Sequence, residues 1–364
     1  MAEAIKDTYN YDSIKRVAVE LQTVYAPFRV EEFLSATLDE TWDALELKDR
    51  FYRISERLGR FLPSDFGEAI GVIDKVVASF GTWLDGFCIF FPGFVELYGL
   101  DEASFDISVD AMARYTQFAS AEFAVRAFII KYGKRMMERM YAWSRDESEH
   151  VRRLASEGCR PALPWGQALN EFKRDPTPIL PILEQLKADP ELFVRRSVAN
   201  NLNDISKTHP ELVARLAREW YGKDARTDWV VKHACRTLLK KGNREVLALF
   251  GYKDAADVAV QGLALGAASV EIGEELEFSF EISTAKETKV RLEYAIDYVK
   301  ANGKRSRKIF KISESTFKEN AKKQYTKRHS FADLSTRKHY AGVHSVALLV
   351  NGAERGSLDF DVLA

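Results

Sequence analysis

Through the first two-thirds of the chain apolar residues recur at three- and four-residue spacing, the period of a helix that buries one face. The clearest stretches are residues 14–25, 43–58, 66–80, 118–144 and 212–221, and each predicts an amphipathic helix. Short breaks separate them: Leu62-Pro63-Ser64-Asp65, Asp175-Pro176-Thr177-Pro178, Asp189-Pro190, His209-Pro210 and Lys241-Gly242-Asn243. In Asp189-Pro190 and His209-Pro210 the proline falls where a helix would start, a position whose N–H has no partner to lose. Residues 1–253 therefore read as all-α. Past Lys253 the period drops to two: residues 268–283 alternate, and 289–299, 308–312, 344–350 and 357–363 follow in the same style. Asn302-Gly303 and Asn351-Gly352 supply hairpin turns.

The helical part also repeats itself. Val151-Arg152-Arg153-Leu154-Ala155 returns as Val194-Arg195-Arg196-Ser197-Val198-Ala199, and more loosely as Val230-Val231-Lys232-His233-Ala234, at intervals of 43 and 36 residues. These bracket the period of about 40 residues of HEAT-type helical pairs. The expectation is an all-α HEAT-like helical-repeat solenoid over residues 1–253, with a concave face built from the second helix of each pair. A small all-β sandwich of immunoglobulin type over residues 258–364 is expected to follow. No cysteine follows Cys235, so it would lack an inter-sheet disulfide.

Charge narrows the function. Lys and Arg number 53 against 54 Asp and Glu, a net charge of −1, which excludes a uniformly basic nucleic-acid coat. A polyanion would need a local patch, and residues 300–340 supply one, with 13 Lys/Arg against three acids. Lys304, Arg305, Arg307 and Lys308 flank a turn, and Lys322, Lys323, Lys327 and Arg328 surround Tyr325. A sheet edge protected from strand-to-strand aggregation explains a few lysines. The excess here points instead to a phosphate-contacting face with steep salt dependence. Cys88, Cys159 and Cys235 lie far apart, with no zinc-ligand spacing. Residues 1–10 hold no apolar leader, and the apolar run 86–97 is interrupted by Pro92 and too short to span a bilayer. A cytoplasmic chain without metal, cofactor or membrane is expected.

One segment concentrates chemistry: Ser156-Glu157-Gly158-Cys159-Arg160-Pro161-Ala162-Leu163-Pro164-Trp165-Gly166. Glu157 ends the second helix of the first clear repeat, Gly158 stops it, and two prolines stiffen the exit toward Trp165. Asp204, in Asn200-Asn201-Leu202-Asn203-Asp204, falls at the corresponding end of the next repeat. A carboxylate, an arginine, an indole and a second carboxylate are thus placed to converge on the concave face. Spacing alone favours a blander account, a capped helix beside a buried tryptophan.

That segment, together with Val194-Arg195-Arg196-Ser197-Val198-Ala199-Asn200-Asn201-Leu202-Asn203-Asp204-Ile205-Ser206-Lys207 and Arg236-Thr237-Leu238-Leu239-Lys240-Lys241-Gly242, resembles the AlkC branch of the HEAT-like alkylpurine DNA glycosylases. The resemblance covers most of the helical half, and the β tail is similar to the Ig-like domain of some AlkC members. It implies a monofunctional enzyme that excises cationic N3-methylated bases, chiefly N3-methyladenine with N3-methylcytosine as a second substrate, using neither metal, cofactor nor lyase lysine. It implies catalytic carboxylates at Glu122 and Glu157, and Trp165 against the sugar or the cationic base. Arg160, Asp204, Arg152, Arg195 and Lys240, with Lys304, Arg305, Arg307 and Lys308, would contact substrate or DNA. The partner would be alkylated double-stranded DNA, met by a monomer in the bacterial cytoplasm at the nucleoid. Glu122 has a local alternative, an i,i+4 salt bridge to Arg126 worth a few tenths of a kcal/mol. The aspartate between aromatic residues used by the sister AlkD branch has no identifiable counterpart. The rival function is a non-catalytic HEAT scaffold that binds DNA or protein.

Overall fold

The computed structural model describes residues 5–80, 87–254, 256–334 and 337–364. Residues 1–4 of the segment read as leaderless, Gly86 of the apolar run, and residues 335–336 of the basic stretch lie outside the described set. Sixteen α-helices and then eight strands follow one another among the described residues.

Local chemistry sets the helix ends. Asn10 caps the helix Tyr11–Val24: its side chain accepts from the Ser13 N–H at 3.1 Å, and Ser13 Oγ accepts from the Asn10 N–H at 3.0 Å. The stretch expected at 66–80 is the helix Phe66–Phe80. The one expected at 43–58 begins later, as Leu47–Phe61 behind a 3-10 turn at Trp42–Ala44. The long stretch 118–144 divides into Ala124–Tyr132 and Lys134–Trp143 at Gly133, whose φ of +49° breaks the hydrogen-bond ladder. Pro210 opens the helix Pro210–Trp220, but Pro190 does not open one: the helix Leu192–Ile205 starts two residues later, with Glu191 at its N-cap position and no side-chain capping bond. The three recurring strings lie on Glu149–Glu157, Leu192–Ile205 and Ala225–Ala234, with Val151, Val194 and Val230 all buried. The middle helix packs against both others.

The chain packs as two compact units, one of Met1–His209 with Trp220–Ala234, the other of Pro210–Glu219 with Cys235–Ala364. The helices Arg236–Lys240 and Arg244–Leu249, placed by the sequence before a boundary at 253, thus pack with the strands. Specific contacts explain this. Lys289 Nζ donates to the Phe250 carbonyl at 2.7 Å, Asn351 Nδ2 donates to the Lys253 carbonyl at 2.9 Å, and Arg218 pairs with Glu245 at 2.7 Å. Gly242 and Gly352 approach so closely that a Cβ on Gly352 would lie 2.7 Å from the Gly242 Cα.

The strands are β1 (Val258–Leu265), β2 (Ser269–Glu271), β3 (Glu275–Thr284), β4 (Thr288–Val299), β5 (Arg305–Phe317), β6 (Lys322–Ser330), β7 (Gly342–Val350) and β8 (Ala353–Leu363). They form a three-stranded sheet, β1-β3-β6, and a five-stranded sheet, β2-β8-β7-β4-β5, antiparallel except where β2 meets β8. Phe278, Phe280 and Ile282 of the first sheet share a core with Leu292, Ile296, Val346 and Leu348 of the second. The alternating run 268–283 is divided by Gly273 (φ +108°) into β2 and β3. Asn351 (φ +49°) and Gly352 (φ +79°) make the hairpin between β7 and β8, as their order in sequence predicts. β1 and β6 escape sequence reading, β6 because its lysines mask the alternation. Its pairing only with β3 leaves the other side as a sheet edge, and β5 is likewise an edge.

Candidate active site

The site grows from the end of the helix Glu149–Glu157. Gly158 stops that helix where no side chain fits: a Cβ there would meet Val125 Cγ1 at 2.6 Å. Ser156 Oγ donates to Ser197 Oγ at 2.6 Å and Asn201 Nδ2 to the Ser156 carbonyl at 2.8 Å, fastening the next repeat helix alongside. Asp204 is thereby brought to Arg160. The Arg160 guanidinium donates to Glu157 Oε1 at 2.6 Å and to Asp204 Oδ2 at 2.9 Å, and Lys207 donates to Asp204 Oδ1 at 2.8 Å. All three of Glu157, Arg160 and Asp204 are buried.

A second arginine joins the two candidate carboxylates. Arg153 pairs with Glu122 Oε2, donates to Ser120 Oγ at 2.7 Å, and lies 3.6 Å from Glu157 Oε1. Ser120 Oγ donates to Glu122 Oε2 at 2.9 Å. The bridge to Arg126, the local alternative for Glu122, does not form. Arg126 turns inward and donates to the carbonyls of Gly158, Arg160 and Gln167.

Glu122, Glu157 and Arg160 line a cleft of about 430 Å³. Its remaining wall is largely aromatic and apolar, with Tyr9, Phe51, Phe87, Phe123, Leu163 and Trp165. Trp165 is not buried: 66% of it is exposed, and its backbone holds φ +61°, a conformation that bulky residues rarely adopt. Its carbonyl accepts from Lys48 Nζ at 2.9 Å, which ties this loop to the helix Leu47–Phe61. The capped helix with a buried indole is therefore replaced by a capped helix with a displayed one.

The other candidates are dispersed. Arg152 grips Asp189 with two bonds of 2.7 and 3.1 Å and also donates to the carbonyls of Asp146 and Glu147. Arg195 donates to the carbonyls of Asp189 and Pro190 at 2.6 and 2.8 Å. Both arginines are candidates for DNA contact in the sequence; in this structure Arg195 Nη1 and the Nε and Nη2 of Arg152 hold the turn before the helix Leu192–Ile205, while Arg152 Nη1 holds the turn before Glu149–Glu157. Arg307 is held by Asp297 through bonds of 2.9 and 2.8 Å and by Glu354 at 2.7 Å, while Arg305 lies 3.5 Å from Asp359. Of the four basic residues near that turn, Lys304 and Lys308 have no carboxylate within 4.0 Å among the described residues. Lys240 lies at the end of its short helix in the strand-bearing unit; slight desolvation first, then the charges of Arg337 and Lys240, hold the largely exposed Lys308 ammonium below the usual lysine pKa.

Sequence reasoning missed Arg153, though it stood in the repeated string, and missed the cleft wall of Tyr9, Lys48, Phe51, Phe87 and Phe123. No short motif marks these residues, because they come from segments far apart in the chain: Tyr9 lies in a bend, Phe123 in a turn, Phe87 in a 3-10 turn, and Lys48 and Phe51 on the helix Leu47–Phe61.

Comparison with known proteins gives two family matches, one described as DNA alkylation repair enzyme over residues 111–245 and one as the C-terminal Ig-like domain of the uncharacterised protein YhaZ over residues 259–364. The uncharacterized protein YhaZ of Bacillus subtilis (strain 168) is 46% identical over 358 residues, covering 98% of this chain and 99% of the relative. Among solved structures, the Pseudomonas fluorescens alkylpurine DNA glycosylase AlkC, bound to DNA containing an abasic site analog, is similar with a TM-score of 0.94. It is 37% identical, and the similarity covers 100% of both chains.

Proposed function

Because the chain belongs to the DNA alkylation repair family of AlkC and YhaZ, we propose that it is a DNA glycosylase that releases cationic N3-methylated bases, mainly N3-methyladenine, from alkylated duplex DNA. The observation that carries this reading is the pair Glu122 and Glu157, bridged by Arg153 at the wall of one cleft beneath the exposed Trp165.

The chemistry asks for little else. A base methylated at N3 already carries positive charge, so its glycosidic bond is weak and needs no strong acid at the base. The remaining barrier is an oxocarbenium-like sugar and a water to capture it. Fixed carboxylates beside the deoxyribose stabilise the first and orient, then deprotonate, the second. Their fixity comes from Arg153 and Arg160, which replace solvent by preorganised partners. The indole of Trp165 offers a π face to the cationic base or sugar. A cleft open at the protein surface suits a lesion approached without complete flipping, unlike the deep pockets of base-flipping enzymes. In the strand-bearing domain, Lys304 and Lys308 on the β4–β5 turn and strand are the proposed phosphate contacts.

Glu157→Gln tests the assignment. It preserves shape and removes charge, so single-turnover release of N3-methyladenine at saturating protein should fall on the order of 10²–10³-fold, with DNA affinity little changed. A wild-type rate would remove Glu157 from the chemistry, and no release by the wild-type chain would favour a binding scaffold.

A further inference from the structure

Arg126 is the largest fully buried side chain among the described residues, and the chemistry proposed above does not use it. Its planar guanidinium donates three ways: Nε to the Gln167 carbonyl at 2.5 Å, Nη1 to the Gly158 carbonyl at 2.8 Å and Nη2 to the Arg160 carbonyl at 2.9 Å. One side chain thus holds both ends of the loop 158–167. Within that loop lie Arg160, which carries the Glu157 and Asp204 bonds, and Trp165, whose left-handed backbone persists only if its surroundings hold it. From the other side Lys48 Nζ takes the Trp165 carbonyl.

Burying a guanidinium without a directly bonded carboxylate is unfavourable unless all its donors find acceptors. Burial pushes the Arg126 pKa down to about 10, which leaves the group charged at neutral pH. An apolar residue would fill the same space with no such demand. What a hydrophobe cannot do is fix three carbonyls in one plane. Lysine cannot do it either, because its donors share a single nitrogen and lack the guanidinium fork.

We propose that Arg126 is a positioning residue: it ties the two ends of the loop 158–167 so that Trp165 and the Glu157–Arg160 pair meet DNA in one geometry. The functional consequence rests on the glycosylase reading; the effect on the loop does not. The test uses full-length Arg126→Lys and Arg126→Gln. Trp165 emission is isolated by subtracting the matching Trp165→Phe proteins, and its quenching by acrylamide is followed alongside thermal melting, affinity for an uncleavable duplex and single-turnover base release. The expected result is a cooperatively melting protein with near-normal DNA affinity, a more quenchable Trp165 and a release rate lowered on the order of 10²-fold, the scale of an ångström-sized misplacement. Arginine-like quenching and rate in either folded variant overturn the proposal. Failure of both variants to fold also overturns it, by assigning Arg126 to the stability of the whole core. If the wild-type protein releases no base while the quenching changes as expected, the glycosylase reading fails and the loop role stands.

Discussion

At Glu122 the geometry separates two roles that are indistinguishable in sequence. Its carboxylate shares Arg153 with Glu157 and accepts from Ser120, whereas Arg126, four residues along, is committed to backbone carbonyls. If Glu122 acts only by anchoring Arg153, Glu122→Gln keeps a neutral acceptor for that arginine and leaves release nearly intact. If its charge stabilises the sugar cation, the rate falls with little change in DNA affinity. The second outcome is expected, and single-turnover kinetics beside binding to an uncleavable duplex decides between them. Residue identity made Glu157, Arg160 and Trp165 legible as a group, because prolines and a glycine enclose them within one short segment. Arg153 was harder, since its partner Glu122 is 31 residues away and the spacing of charges on a helix suggests only local bridges.

Elements were legible where one face alone is buried. Phe66–Phe80 and Pro210–Trp220 follow their apolar period closely, while Gly133 divides a run whose period continues across it. The β strands show the opposite difficulty: β6 is an edge strand rich in lysine, and its buried member is not a hydrophobe but His329. That ring sits between two hydroxyls, Tyr294 at 2.9 Å on Nδ1 and Tyr298 at 2.5 Å on Nε2, and packs on Phe310 and Phe331. A neutral imidazole satisfies both hydroxyls, accepting from one and donating to the other. Burial first, then the positive charges of Arg337, His339 and Lys308, lower its pKa to about 4. The unfolded chain therefore binds the proton more readily. Stability from this group is complete above a pH of about 6.5 and is lost progressively as the pH falls toward the folded-state value. Melting followed by tyrosine-sensitive near-ultraviolet dichroism should drop more steeply between neutral and mildly acidic pH in the wild type than in His329→Gln. Parallel curves for the two proteins would show that other groups set the acid sensitivity.

At the scale of the whole molecule, the change of period near residue 253 marked where strands begin but not where packing divides. A domain boundary depends on which surfaces meet, and Gly242 against Gly352, or Lys289 on the Phe250 carbonyl, leaves no periodic trace. The same limit applies to charge. Thirteen basic residues between 300 and 340 read as one strip, yet folding gives several of them acids from distant segments: Arg307 takes Asp297 and Glu354, and Arg328 takes Glu277. A cation already held in two ion pairs must give them up to bind phosphate, while Lys304 and Lys308 need not. Full-length Lys304→Ala/Lys308→Ala is therefore expected to bind duplex DNA more weakly and to flatten the dependence of log K on log salt by about 1.8, at about 0.9 for each phosphate no longer neutralised. Arg307→Ala should change that slope less and lower melting instead, because it leaves Asp297 and Glu354 without their partner. An unchanged slope in the double lysine variant would reduce both residues to guards of the β5 edge, where lysine also serves to keep strands from pairing between molecules.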